Sequence, residues 1–367
     1  MGSEMCIRDS FNFSAGPSTL PLAVLERARA ELLDYAGTGM SVMEMSHRTD
    51  EYVAIAESSE AKIRRLLSVP SHYRILFMQG GATAQFAAIP LNLSSAQGRA
   101  AYVNTGIWST KAIQEATRFI AEPVIAASTE SMGFTRTPEA SEWIPTGEVD
   151  YFHYTDNETI GGVEFNGIPE CGSAPLVCDM SSNILSRPID IERFGLIYAG
   201  AQKNMGPSGI TLVIVRDDLI GQASKMTPSV LDYGIQAKNH SMLNTPPTYP
   251  WYLLDLVLGW VEEQGGVAYM EGESRRKSDL LYNTIDASQL FSNPVSVSSR
   301  SRMNIPFTIA RPELEAKFLS EARTVGLVNL EGHRSVGGFR ASLYNAMPYE
   351  GVKELVAFMC DFESRHG

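Results

Sequence analysis

The chain is poor in cysteine: its 367 residues hold only four, Cys6, Cys171, Cys178 and Cys360, irregularly spaced. Such spacing argues against a disulfide framework and a zinc site, and no metal is expected. It fits a reducing, cytoplasmic compartment, with one incidental bridge as the alternative. An excess of positive charge is also lacking. Thirty Lys and Arg stand against 42 Asp and Glu, a formal net charge of −12. Bulk binding to nucleic acid or to an anionic membrane needs a positive surface, so neither is an expected partner. A local basic pocket is not excluded. Long apolar runs are missing too. The strongest, Trp251–Trp260, is interrupted by Asp255 and falls well short of the ~20 residues of a membrane span. Residues 1–10 lack the apolar core of a signal peptide and look unrelated to the chain from Phe11 onward. They are read as a non-native or disordered leader. There are no internal repeats and no low-complexity segments.

What is present is a regular alternation. Pro21–Tyr35 places Leu22, Leu25, Ala28, Leu32 and Tyr35 on one helical face, and Glu51–Leu67 repeats the pattern. Short apolar runs then recur at Arg74–Met78, Ala100–Val103, Val124–Ala127, Tyr151–Tyr154, Ala174–Cys178, Leu196–Ala199 and Ile210–Val215. Several are apolar throughout, as strands covered on both faces are. That predicts an α/β fold around a mainly parallel sheet with helices on both sides. Only a short segment separates the last two runs, too short for the dozen or so residues of a parallel crossover. As neighbours they must be antiparallel, which makes the sheet mixed. A long apolar helix over Pro250–Gln264 ends at Gly265-Gly266. A large domain is therefore placed at 11–264 and a smaller α+β domain at 265–367. In the latter, strands are expected at Arg302–Ile309 and Gly338–Leu343, and helices at Pro312–Val325 and Gly351–Glu363.

Ligands of such sheets lie beyond the carboxyl ends of the strands. Two residues there carry chemistry. Lys203 follows the run Leu196–Ala199 and precedes a turn with Gly206, Pro207 and Gly209. Desolvation at the sheet edge would lower its pKa and free the amine for imine formation. A solvated loop lysine is the plainer reading of that segment alone. Asp179 ends the run Ala174–Cys178 and lies 24 residues before Lys203, a span that fits strand, crossover and strand. An acid for a pyridine nitrogen and a lysine for an imine are the minimal protein groups for pyridoxal phosphate. A turn-capping role is the alternative for Asp179.

Three weaker signals surround these. The turn Gly80-Gly81-Ala82-Thr83, between a strand and an apolar helix, suits a phosphate at a helix N-terminus without matching a Rossmann fingerprint or P-loop. Trp108 follows another strand and is read either as a stacking platform or as a core residue. His47, Arg48, His333, Arg334 and Arg340 are scattered cationic or potentially cationic groups, Arg340 within an otherwise apolar run. They suggest a substrate with an anion at each end, against ordinary internal ion pairs.

The segments Asn12–Pro17, Met43–Arg48, Asn157–Ile160, Ile197–Asn204, Asn244–Thr248 and Gly332–Ser342 together resemble the phosphoserine aminotransferase family, class V among the fold-type I pyridoxal-phosphate enzymes. The resemblance runs from Phe11 to the C-terminus. It implies a homodimer with shared active sites. Glutamate and 3-phosphohydroxypyruvate would be the substrates, O-phosphoserine and 2-oxoglutarate the products. Some members also serve pyridoxine synthesis through a phosphorylated threonine derivative. The resemblance implies that Lys203 forms the aldimine with pyridoxal 5'-phosphate and that Asp179 pairs with the pyridine nitrogen. Trp108 would stack on the ring. Ala82, Thr83, Thr159 and Gln202 would hold its phosphate and phenolic oxygen, with Asn244 and Thr245 reaching over from the second subunit. Arg340 would take the α-carboxylate. His333 and Arg334, with His47 and Arg48 of the second subunit, would take the distal anion. Two positions depart from some members: Ala15 stands in place of Ser and Thr83 in place of Arg.

Overall fold

A computed structural model describes residues 10–367. All of the expected leader except Ser10 lies outside the described residues. Seven strands form the central sheet, in the spatial order Tyr73–Met78, Thr211–Arg216, Leu196–Gly200, Leu176–Asp179, Phe152–Thr155, Arg99–Asn104 and Glu122–Ser128. Thr211–Arg216 runs antiparallel to both of its neighbours, and the other neighbouring pairs are parallel. The short connection before Ile210 therefore has the predicted consequence. The other six strands all point the same way, so their carboxyl ends share one edge of the sheet.

Both faces of the sheet are buried, as the uninterrupted apolar runs require. One face packs Ile75, Phe77, Cys178, Ile197, Leu212 and Ile214 against the helices Asp50–Leu67 and Thr248–Glu263. The other packs Leu76, Val177, Leu196, Tyr198 and Val213 against Gly81–Leu93 and its surroundings. A separate core is built around Phe307, Phe318, Phe339, Leu355 and Phe362. It lies between the antiparallel strands Phe291–Ser292, Asn304–Ile309 and Phe339–Ser342 and the helices Glu315–Thr324 and Tyr349–His366. The N-terminal strand Phe11–Asn12 pairs with Leu327–Val328, and Phe13 is buried in this second core.

Two helices differ from expectation. The first spans only Leu22–Ala30. Tyr35 leaves the helical path because its backbone N–H donates to the Met40 carbonyl and its ring meets Tyr252 edge-on. The 22-residue helix Gly266–Ala287 was not expected from the sequence. Its buried face includes Ser274, Lys277 and Ser278, which break the apolar stripe on which periodicity depends. Gly265 and Gly266, at φ of 109° and 74°, turn the chain between this helix and the one before it. No described helix is long and apolar enough to cross a membrane.

Candidate active site

The carboxyl edge of the sheet opens into a cavity of about 380 Å³, within the size range of small-molecule sites. Its walls include Gly80, Gly81, Ala82, Thr83, Trp108, Thr155, Asn157, Thr159, Asp179, Gln202 and Lys203. Each belongs to a segment at or just after a strand end, which is why residues far apart in sequence meet here. Lys203 Nζ donates to Thr159 Oγ1 at 2.7 Å and lies 5.5 Å from the centre of the Trp108 ring. Ser18 holds the lysine backbone, its N–H on the Gln202 carbonyl and its hydroxyl on the Lys203 carbonyl. Burial lowers the Lys203 pKa to about 8, against the opposing pull of Asp179 and Glu158. A neutral amine is thus accessible near neutral pH.

Asp179 is 5% exposed. Burial raises its pKa, while the positive charge of Lys203 and hydrogen bonds from Ser181 and Tyr198 oppose that shift. One carboxylate oxygen accepts from the Ser181 N–H at 2.8 Å. On another wall, the helix Gly81–Leu93 begins after Gly80. The N–H groups of Ala82 and Thr83 lie in its first turn, where no intrahelical acceptor exists, so they face the cavity as anion donors. Around the same space, Trp108 Nε1, Thr155 Oγ1 and Asn157 Oδ1 are buried without partners among the described residues. Buried polar atoms are seldom left unpaired. A planar, polar, phosphorylated ligand such as pyridoxal phosphate fits this set: an amine, a carboxylate, an aromatic face and a helix N-terminus around one space.

Arg340, on the strand Phe339–Ser342, lines a neighbouring cavity with Ser14, Ala15 and Gly332 and reaches the Lys203 cavity through Thr159 of its wall. Its Nη1 donates to the Thr159 carbonyl at 3.3 Å. Burial lowers its pKa, and among the described residues no carboxylate acts on it. An unpaired, partly buried guanidinium is a ready site for a carboxylate. His333 is half-buried beside it, and Arg334 is exposed. Burial lowers the His333 pKa, and the positive charges of Arg340, Arg334 and Lys111 add to the effect. Three positive charges thus act on the His333 imidazole and favour its neutral form.

The structure does not gather all the sequence-predicted residues in one chain. His47 and Arg48 line a different cavity, with Arg74, His240 and Trp251. Asn244 and Thr245 are exposed, and Asn244 Nδ2 donates to the Thr245 carbonyl. None of these four lines the Lys203 cavity.

Sequence reasoning missed Glu158. Its buried carboxylate accepts from the Trp108 N–H at 3.0 Å, the Ser109 N–H at 2.9 Å and the Ser109 hydroxyl at 2.8 Å. It thereby caps the helix Ile107–Ala116 that carries Trp108. The approach is close because residue 106 is glycine: a Cβ there would sit 2.5 Å from Glu158 Cδ. Lys111 was missed as well. Its Nζ stands 4.6 Å from the Trp108 ring centre, a position that only the helix reveals.

The sequence pattern described as "Aminotransferase class-V" matches residues 10–355. The phosphoserine aminotransferase of Pseudomonas aeruginosa strain LESB58 is 57% identical over 358 residues, 98% of this chain and 99% of the relative. Among solved structures, phosphoserine aminotransferase from Bacillus circulans subsp. alkalophilus superposes with a TM-score of 0.95 at 48% identity, covering 98% of this chain and 99% of that one. The pyridoxal-phosphate-bound phosphoserine aminotransferase of Trichomonas vaginalis superposes at 0.90 with 40% identity, covering 96% and 99%. The chain belongs to the class-V aminotransferases, in their phosphoserine aminotransferase family.

Proposed function

We propose that the protein is a homodimeric, pyridoxal-phosphate-dependent transaminase. It would move the amino group of L-glutamate reversibly to 3-phosphohydroxypyruvate, giving O-phospho-L-serine and 2-oxoglutarate, a step of serine biosynthesis. The observation that carries this reading is the meeting of Lys203 and Asp179 in one cavity, with Arg340 bonded to Thr159 of its wall. When bound, the cofactor supplies an electron sink that acidifies the Cα–H bond of an amino acid.

The residues divide the work. The Ala82 and Thr83 N–H groups hold the cofactor phosphate, and Trp108 supports one face of the ring. Thr159 and Gln202 contact its polar edge. Asp179 would pair with the ring nitrogen and, when ionised, favour its protonated form, which is what would let the ring accept electrons. Lys203, with its lowered pKa, would carry the proton from the substrate Cα to C4′ of the cofactor in the first half of the cycle and from C4′ back to Cα in the second. Arg340 grips the α-carboxylate common to both substrates. His333 and Arg334 meet the distal carboxylate of glutamate or the phosphate of the keto acid.

His47, Arg48, Asn244 and Thr245 lie away from this cavity within one chain. In the proposed dimer they belong to the site of the other subunit, so each active site is built from two chains. The substrates share one binding place in alternation. Initial rates at several fixed glutamate concentrations should therefore give parallel double-reciprocal lines against phosphohydroxypyruvate. Intersecting lines, or equal rates with an unphosphorylated keto acid, would overturn the reading.

A further inference from the structure

One tyrosine hydroxyl joins three parts of the chain. Tyr344 is 1% exposed and follows the strand Phe339–Ser342 that carries Arg340. Its hydroxyl donates to the Ala15 carbonyl at 2.6 Å and accepts from Asn304 Nδ2 at 3.0 Å. Asn304 is fully buried and pairs with Ser342 across the antiparallel ladder. The same Nδ2 also donates to Ser342 Oγ at 3.0 Å. Asn304 Oδ1 accepts from Asn157 Nδ2 at 2.9 Å, and Asn157 lines the Lys203 cavity. Ala15 belongs to an N-terminal segment held on both sides. Before it, the Phe13 carbonyl accepts from the Ser342 N–H at 3.2 Å. After it, the Ser18 hydroxyl donates to the Lys203 carbonyl.

These bonds run in one direction. A carbonyl only accepts, so the Tyr344 proton goes to Ala15 and the tyrosine oxygen is left to accept. Asn304 must then turn its Nδ2 to Tyr344 and its Oδ1 to Asn157. Asn157 in turn must present its Nδ2 to Asn304. A flipped Asn304 would set its oxygen against the Tyr344 oxygen with no hydrogen between them, which is costly in a buried place. Ser182 fits the same direction: its hydroxyl donates to the Asn157 carbonyl at 2.9 Å and accepts from Asn157 Nδ2 at 2.8 Å. We propose that Tyr344 and Asn304 are positioning residues that set the Arg340 strand against the Lys203 cavity, and so fix where the substrate α-carboxylate is held. Neither lines that cavity; both act through Arg340 and Asn157.

This role rests on the proposed transamination, and the experiment tells the two apart. Asn345 ties the second core to the Lys203 turn separately, its N–H on Asn204 Oδ1 at 2.9 Å. Loss of the Tyr344 hydroxyl should therefore shift the cores rather than part them. Two probes that cannot react are titrated by calorimetry. Pyridoxine 5'-phosphate, which has the ring but no aldehyde, is added to apoprotein. Glutarate, a dicarboxylate with no amine, is added to protein saturated with the first probe. Tyr344→Phe should leave the dissociation constant of pyridoxine 5'-phosphate unchanged. It should raise that of glutarate by roughly three- to tenfold, short of the ~100-fold that a misplacement of about 1 Å can bring. Asn304→Ala should raise the glutarate value too, and carries the test alone if Tyr344→Phe does not fold. The double variant should do no more than the larger single change, since both break one chain. A purely structural role would lower thermal stability and leave the glutarate constant where it was. That result, additive effects in the double variant, or equal losses for both probes in Tyr344→Phe would overturn the positioning role. Failure of the wild-type protein to bind either one of the probes would overturn the transaminase reading, and this role with it.

Discussion

Thr159 meets Lys203 and Arg340 at once: its hydroxyl oxygen accepts from Lys203 Nζ at 2.7 Å, and its carbonyl accepts from Arg340 Nη1 at 3.3 Å. Lys203 comes from the turn after a strand of the large sheet, and Arg340 from the three-stranded sheet of the second core. Thr159 therefore ties the proton-transfer group to the carboxylate-binding group across two cores. It directly succeeds Glu158, which fixes Trp108. Two consecutive residues thus set the positions of three site groups.

Lys203→Ala should abolish turnover while leaving the protein able to bind cofactor without a covalent link. Absorbance of dialysed protein and a steady-state assay check both halves. Wild-type-like rates in the variant would refute the assignment.

The lowered Lys203 pKa also has a sign for stability. A lysine near 8 when folded and about 10.4 when unfolded opposes folding while protonated. The penalty is fully present below pH 8 and is relieved as pH rises toward 10. In apoprotein, wild type should therefore gain on Lys203→Met by roughly 2–3 kcal/mol across that window. Urea midpoints of both proteins at pH 7 and pH 10 measure it. A constant difference would contradict the buried amine.

Glu158→Ala removes the acceptor of three hydrogen bonds, two of them from backbone N–H groups of a helix start. It should cost about 2–3 kcal/mol and weaken cofactor binding by freeing Trp108. Near-ultraviolet circular dichroism and a melting curve report the two effects. Gly106→Ala should resemble it, because the added methyl occupies the space of the Glu158 carboxyl.

Arg340→Ala should raise KM for glutamate and for phosphohydroxypyruvate alike, by an amount near the roughly 2–5 kcal/mol of a lost charged contact. Arg334→Ala should weaken phosphorylated substrates far more than folding. Steady-state constants for both substrates, with thermal melts as controls, separate the roles.

The proposed sharing of active sites between two subunits predicts complementation. Arg48→Ala and Lys203→Ala proteins, each inactive alone, should regain activity when mixed under conditions that exchange subunits. One site of each mixed dimer would then have every group intact. No recovery despite demonstrated exchange would place Arg48 outside the active site.

Lys203 and Asp179 were legible because each comes after an uninterrupted apolar run, and such strands end at the ligand edge of the sheet. The antiparallel strand Thr211–Arg216 was legible from the shortness of its connection. Glu158 was not, since a carboxylate in a two-residue strand has no periodic signal and its partners lie 49 and 50 residues away. The helix Gly266–Ala287 was hidden by its buried polar face. There Lys277 Nζ donates to the carbonyls of Tyr344 and Met347, a use of lysine that no one-dimensional pattern distinguishes from an exposed one.

The most direct test of the proposed transamination is the absorption spectrum of the purified, cofactor-loaded protein through one full cycle. Glutamate alone should convert the visible band of the bound cofactor, with 2-oxoglutarate released in stoichiometric amount. Phosphohydroxypyruvate added next should restore the band and release O-phosphoserine. A spectrum that glutamate leaves unchanged, or that the phosphorylated keto acid fails to restore, would contradict it.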